Sequence, residues 1–202
     1  MQNNQFSTNV TTGEVRLSYV NLFQPRAAQT GQEEKYSVTI LLPKSDVQTK
    51  QRIDAAIEAA KQKGAADKWG GTIPPVVHTV IHDGDGVKPS DGTPFGQECK
   101  GHWVFTASSK KDYPPEVVDQ QLNPIINQSE IYSGCYARVN INFFPYKFGN
   151  NKGVGCGLGP VQKLRDGEPL GGTTTKANDV FGAIGGSTQA RAINPITGQP
   201  IY

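Results

Sequence analysis

Apolar and polar residues alternate with a period of two from Cys135 to Phe144. Cys135, Ala137, Val139, Ile141 and Phe143 share one face of an extended chain, and Tyr136, Arg138, Asn140, Asn142 and Phe144 share the other. This is the pattern of a half-buried strand. Gly149, Asn150 and Asn151 then form a turn cluster. A second strand follows, with Val154, Cys156 and Leu158 on one face and Gly153, Gly155, Gly157 and Gly159 on the other. Glycines in a strand mark a bulge, a barrel bend, or close approach of another backbone or a ligand.

The same test finds three more strands. Over 13–23, Val15, Leu17 and Tyr19 alternate with Arg16, Ser18 and Val20. Over 35–42, Tyr36, Val38, Ile40 and Leu42 share a face. Over 101–108, Trp103, Phe105 and Ala107 alternate with His102, Val104 and Thr106. The hairpin supplies strands four and five at 132–147 and 152–164.

One segment changes period. Ile53, Ala56, Ile57 and Ala60 recur at helical spacing. They predict a helix over 46–63, with Ser45 as N-cap, Asp46 at the positive end of the dipole and Gly64 as C-terminal cap.

Between these elements the chain reads as loop. Residues 69–101 form a long insertion, with a short strand predicted at Val76–Ile81, and loops of this length tend to be functional or mobile. Pro114, Pro115 and Pro124 interrupt 113–127, where a helical turn is predicted at 115–121. Residues 1–12 read as a polar arm. The last segment, 173–202, has few large apolar residues and is expected to be a flexible tail. The expected architecture is mainly β: a five-stranded barrel over 13–172 with one inserted helix and long loops.

Composition agrees. Hydrophobic residues make up 36% of 202, with 23 glycines and 14 prolines, which suits a loop-rich β protein rather than a helical bundle. The three cysteines, Cys99, Cys135 and Cys156, form no CxxC pattern, and two of them fall on predicted inward faces. The N-terminal stretch lacks the apolar core of a secretory signal, and no apolar run approaches membrane-spanning length. The expectation is a protein of a reducing cytoplasm.

Catalytic and metal signals are weak. His78, His82, Asp83 and Asp85 are the best metal candidates. The apolar residues around the histidines favour a strand, however, on which positions i and i+4 lie too far apart to chelate together. The Asp-Gly-Asp-Gly run lacks the twelfth-position Glu of a calcium loop. No serine sits in a GxSxG turn, and GCGLG at 155–159 lacks the Lys-Ser/Thr ending of a phosphate loop. The expectation is a non-enzyme with neither cofactor nor metal.

Charge changes the picture locally. The net charge is only +2, yet from Tyr132 to Arg165 there are five cations and no Asp or Glu. Tyr132, Tyr136, Phe143, Phe144, Tyr146 and Phe148 lie in the same span. Cations neutralise phosphates, and a base stacked on a ring contributes roughly 1–3 kcal/mol. The same residues also fit a barrel hairpin with aromatics in its core and lysines that only solvate it. On the nucleic-acid reading, Arg16, Lys35, Lys110, Lys111, Arg138, Lys147 and Lys152 meet phosphates, and Tyr136, Tyr146 and Trp103 stack on bases.

The strings YSGCYARV and KLRDGEPLGG, with GEVRLSYVNLFQPR, KYSVTILLPKSD and KGHWVFTAS, resemble a family of phage and prophage single-stranded-DNA-binding proteins with an OB-fold. The resemblance covers about Gly13 to Gly172. It implies a barrel that coats single strands in phage DNA replication or recombination within the bacterial host. Phage or host replication and recombination proteins are the implied protein partners, and pairing of two copies is left open. A strand-annealing factor or a structural phage protein would use the same face. Two features depart from the usual pattern: the helix follows strand two rather than strand three, and the last thirty residues are not acidic.

Overall fold

The computed structural model describes residues 7–27 and 29–171. The segment 173–202, read as a flexible tail, and Met1–Phe6 of the arm lie outside the described residues.

The strands are β1 (Asn9–Thr11), β2 (Val15–Arg26), β3 (Lys35–Pro43), β4 (His82–Asp83), β5 (His102–Lys110), β6 (Val117–Val118), β7 (Tyr136–Phe148) and β8 (Asn151–Arg165). The helix is α1 (Val47–Asp67). Five long strands close a ring: β2 pairs with β3, β3 with β5, β5 with β8, β8 with β7, and β7 with β2. The β5–β8 seam is parallel and rests on one bridge, Ser108 to Gly157, so the barrel is partly open there. This is the OB-type arrangement that the family resemblance implies, and its five long strands are those the alternation predicts. Residues 9–11, read as part of the arm, instead continue β2 along β7 as the short strand β1.

The core follows the predicted faces. Cys135, Ala137, Val139, Ile141 and Phe143 are all buried, as are Val38, Ile40, Leu42 and Phe105. Cys99, Cys135 and Cys156 are free and buried, and burial pushes the Cys156 thiol up to about 12. The glycine face of β8 has a local explanation. A Cβ on Gly155 would lie 2.7 Å from Phe144 Cζ, and one on Gly153 would lie 2.6 Å from Tyr146 Cζ. Bare backbone on β8 therefore makes room for rings from its own partner strand.

α1 packs against β7 and β1 with Ile53, Ala56, Ile57 and Ala60 buried, as the helical period predicts. Its ends differ from expectation. The N-cap is Asp46 rather than Ser45, because the Asp46 carboxylate accepts from Thr49 N–H. The helix also runs through Gly64 to Asp67. Gly64 is there for close packing: a Cβ would lie 2.7 Å from the Trp69 ring and 2.8 Å from Pro145 Cβ.

Two loop expectations are corrected. Val76–Ile81 is not a strand. His78 makes an isolated bridge to Gly153, and the strand is β4, two residues opposite Val104 and Trp103. Residues 115–121 form no helical turn, since Val117 and Val118 pair with β8 as β6. A short helical turn lies further on, at Gln128–Glu130. In both stretches pairing with β5 or β8 overrides what prolines and local pattern suggest.

Candidate nucleic-acid interface

The outer face of β2, β3 and β5 is built in rows, because directly opposed residues of antiparallel strands share a face. Arg26 lies opposite Lys35, and Lys35 opposite Lys110. Next come Asn21, Ser37 and Ser108, then Ser18, Thr39 and Thr106, with a 3.0 Å bond between the two threonine hydroxyls. The last row is Arg16, Leu41 and Val104. Along β3 and β5 the floor thus grades from cationic through hydroxyl to apolar, with Arg16 of β2 at the edge of the apolar row.

Two cavities sit on this floor. A cavity of about 1150 Å³ covers the basic end, lined by Arg26, Lys35, Ser37, Ser108, Tyr19 and Phe148. A cavity of about 710 Å³ covers the apolar end, between Leu41 and Val104 below and Lys88, Phe95, Glu98 and Cys99 of the long insertion above. Tyr19 and Thr106 line both, so the two form one trough.

Tyr19 stands between the cavities, 74% exposed, with φ of +47°. A non-glycine residue in the left-handed region is strained, and such strain collects at functional sites. Its position comes from a bulge. The β2–β3 register shifts between Ser18 and Asn21, which turns Tyr19 outward and leaves Val20 and Leu22 packed inward. Phe148, at the tip of the β7–β8 hairpin, is 81% exposed. Beside it Lys147 lies directly opposite Lys152.

Comparison with known proteins places the chain in a family. The family model of the Enterobacter phage Enc34 single-stranded-DNA-binding protein matches residues 8–191. The chain belongs to this family. Protein p50 of Acyrthosiphon pisum secondary endosymbiont phage 1 is 30% identical over 173 residues, 81% of this chain and 86% of that one. The Enc34 protein in complex with single-stranded DNA is 28% identical, with a TM-score of 0.68 over 85% of this chain and 97% of that chain. The bacteriophage T7 single-stranded-DNA-binding protein gp2.5 shares the fold at 16% identity, with a TM-score of 0.57 over 88% and 96% of the two chains.

Within this Enc34-family barrel, the residues singled out from sequence separate into groups. Lys35 and Lys110 stand in the basic row. Lys35 also reaches Glu33 at 3.7 Å, a loose exposed pair. Lys111 is tied to Glu34 at 2.7 Å, beside that row. Lys147 and Lys152 flank the hairpin tip. Tyr146 is half-buried beside Gly153, and its carbonyl accepts from Trp69 Nε1 at 3.1 Å.

The others engage the protein itself. Trp103 lies opposite Leu42 on the inner side of β5 and packs on the core, with Lys44 and Lys50 nitrogens 5.0 and 4.6 Å from its ring centre. Its alternation with His102 and Val104 fits either facing, and the pairing with Leu42 selects the inner one. Arg165 lies 3.5 Å and Arg16 5.8 Å from the Tyr136 ring centre. Arg16 also donates to the Gly134 and Glu168 carbonyls, at 3.2 and 2.6 Å. Arg138 Nε donates to the Thr12 carbonyl at 3.3 Å. Arg165 pairs with Glu14 at 2.6 Å, which holds the Glu14 carboxyl below its ordinary value despite some desolvation.

The metal candidates gather into no group of three or more ligands among the described residues. Lys44 Nζ lies 2.6 Å from both Asp83 and Asp85 and clamps the two carboxylates. His82 faces Phe95 at 6.4 Å between ring centres, and burial pushes its pKa down. Sequence reasoning misses Tyr19, Arg26 and Phe148. The alternation places Tyr19 inward with Val15 and Leu17, and no feature of it announces the bulge that reverses this facing.

Proposed function

We propose that this protein binds single-stranded DNA in the trough across β2, β3 and β5, as a binding protein rather than a catalyst. The observation that carries the reading is the row Arg26–Lys35–Lys110, continuous with a floor from which Tyr19 projects. Like charges placed directly opposite destabilise a sheet. An anionic ligand along the row offsets that cost, since each cation it neutralises releases counterions from the backbone. Tyr19 and Phe148 offer ring faces for unpaired bases, and every base has a face to stack. The Enc34 protein, to which the chain is similar, has been solved with single-stranded DNA, which supports the same ligand here.

Between its two ends the trough floor is Ser, Thr and Asn, and stacking on ring faces accepts any base, so binding along most of its length is sequence-tolerant. Coating of exposed strands in phage DNA replication or recombination is the role that fits. A gel shift with one sequence as single strand and as duplex, at low and high salt, tests this. Tight, salt-sensitive binding of the single strand with weak duplex binding is expected. Equal affinity for the duplex would remove the stacking half of the argument.

A further inference from the structure

The apolar end of the trough differs chemically from the rest. Its floor is Leu41 and Val104, and Phe95 and Cys99 pack with them as a small cluster separate from the barrel core. Burial, reinforced by Glu98, pushes the Cys99 thiol up to about 11, so the thiol itself is uncharged at neutral pH. Among the described residues, Glu98 is the one carboxylate lining the cavity, and it makes no ion pair. Its only side-chain hydrogen bond among them is a weak one from Cys99 Sγ, at 3.8 Å. A carboxylate opposes phosphate binding, so its presence in this trough calls for a ligand that donates to it.

We infer that the cavity over Leu41 and Val104 is a nucleobase subsite in which Glu98 favours bases carrying an exocyclic amine, cytosine over thymine. The inference rests on the single-strand reading above and deepens it. The apolar floor and Phe95 cover the faces of a flat base. A carboxylate only accepts, and cytosine presents N4–H donors to it. Thymine presents the O4 acceptor at that position, which leaves two acceptors facing each other and the carboxylate unpaired. Lys88, on the same wall, is a flexible cation suited to phosphate and adds affinity without choosing a base.

The test is fluorescence anisotropy with all-cytosine and all-thymine oligonucleotides of about sixteen nucleotides, the upper end of what one barrel covers. The wild-type protein should bind the cytosine strand about tenfold more tightly. Glu98→Gln, which both donates and accepts, should bring the two within about twofold. A strand of N4,N4-dimethylcytosine, which lacks both N4 donors, should bind the wild-type protein like the thymine strand and requires no variant. Lys88→Ala should weaken both strands equally. A wild-type preference for thymine, an unchanged ratio in Glu98→Gln, or full affinity for the dimethylated strand would overturn the inference while leaving single-strand binding intact. Failure of every strand to bind would overturn both.

Discussion

Lys35 of β3 lies directly opposite Lys110 of β5, with Arg26 of β2 on the other side of Lys35. No folding argument favours three cations in one cross-strand row. The row makes sense as a phosphate track, and its removal is informative in two directions. Lys35→Ala with Lys110→Ala should leave the melting temperature unchanged or slightly raised, because like-charge repulsion is relieved. The same double variant should weaken single-strand binding and make the slope of log affinity against log salt shallower by about 0.7 for each phosphate that is no longer neutralised. Melting curves and a salt series of anisotropy titrations measure both.

Tyr19 carries a conformational cost that its exposed ring does not repay within the fold. Tyr19→Gly should raise stability by roughly 1 kcal/mol, since glycine adopts a positive φ without the side-chain clash. The same change should lower DNA affinity by about five- to 150-fold, the equivalent of roughly 1–3 kcal/mol for a lost stacking platform. Opposite signs in the two measurements, denaturant melts and binding titrations, are the expected signature.

Residues on the far side of the barrel should behave in the reverse way. Val139 and Ile141 are wholly buried, and truncation of either to Ala should cost about 1–4 kcal/mol in stability with little change in DNA affinity. Tyr136→Ala should join them. Its ring lies against Arg165 and near Arg16, which anchors the Gly134 and Glu168 turns, so its loss should lower the melting temperature more than the affinity. Urea melts and anisotropy titrations on each variant make the comparison.

These contrasts show what alternation can and cannot reveal. The inward faces of β3, of β7 from Ala137 to Phe143 and of β8 from Val154 to Leu158 are legible because each stretch alternates regularly and has one buried side. The stripe of α1 is legible for the same reason at a different period. Tyr19 is not legible, because a bulge is set by pairing with β3 and leaves no mark in the local pattern. Arg26 gains meaning only from its register with Lys35 and Lys110, more distant in the chain. The glycines of β8 do mark close approach, but what approaches is Phe144 and Tyr146. The long insertion stands out by its length, yet only the fold shows that Phe95 and Glu98 roof the apolar end of the trough.

The Lys44 clamp on Asp83 and Asp85 should give stability a pH dependence. Its hydrogen bonds hold both carboxyls below their ordinary value of 3.8 and raise the Lys44 ammonium above 10.5. Depressed carboxyls contribute stability that is present above 3.8 and lost as pH falls through their lowered values. The raised ammonium contributes stability that is present below 10.5 and lost as pH rises through its higher value. Lys44→Met should flatten both limbs of a plot of melting temperature against pH. All three groups are solvent-accessible, so the change should be modest and should shrink with added salt.

The central claim is that an unpaired strand lies across β2, β3 and β5 with bases on Tyr19 and Phe148. Photocrosslinking with an iodo-deoxyuridine strand, followed by mass-spectrometric mapping of the adducts, tests it most directly. Adducts should fall on Tyr19 and Phe148 and be lost when Arg26, Lys35 and Lys110 are replaced together by Ala. Adducts concentrated instead on Tyr136 or Trp103, and unaffected by that triple replacement, would contradict it.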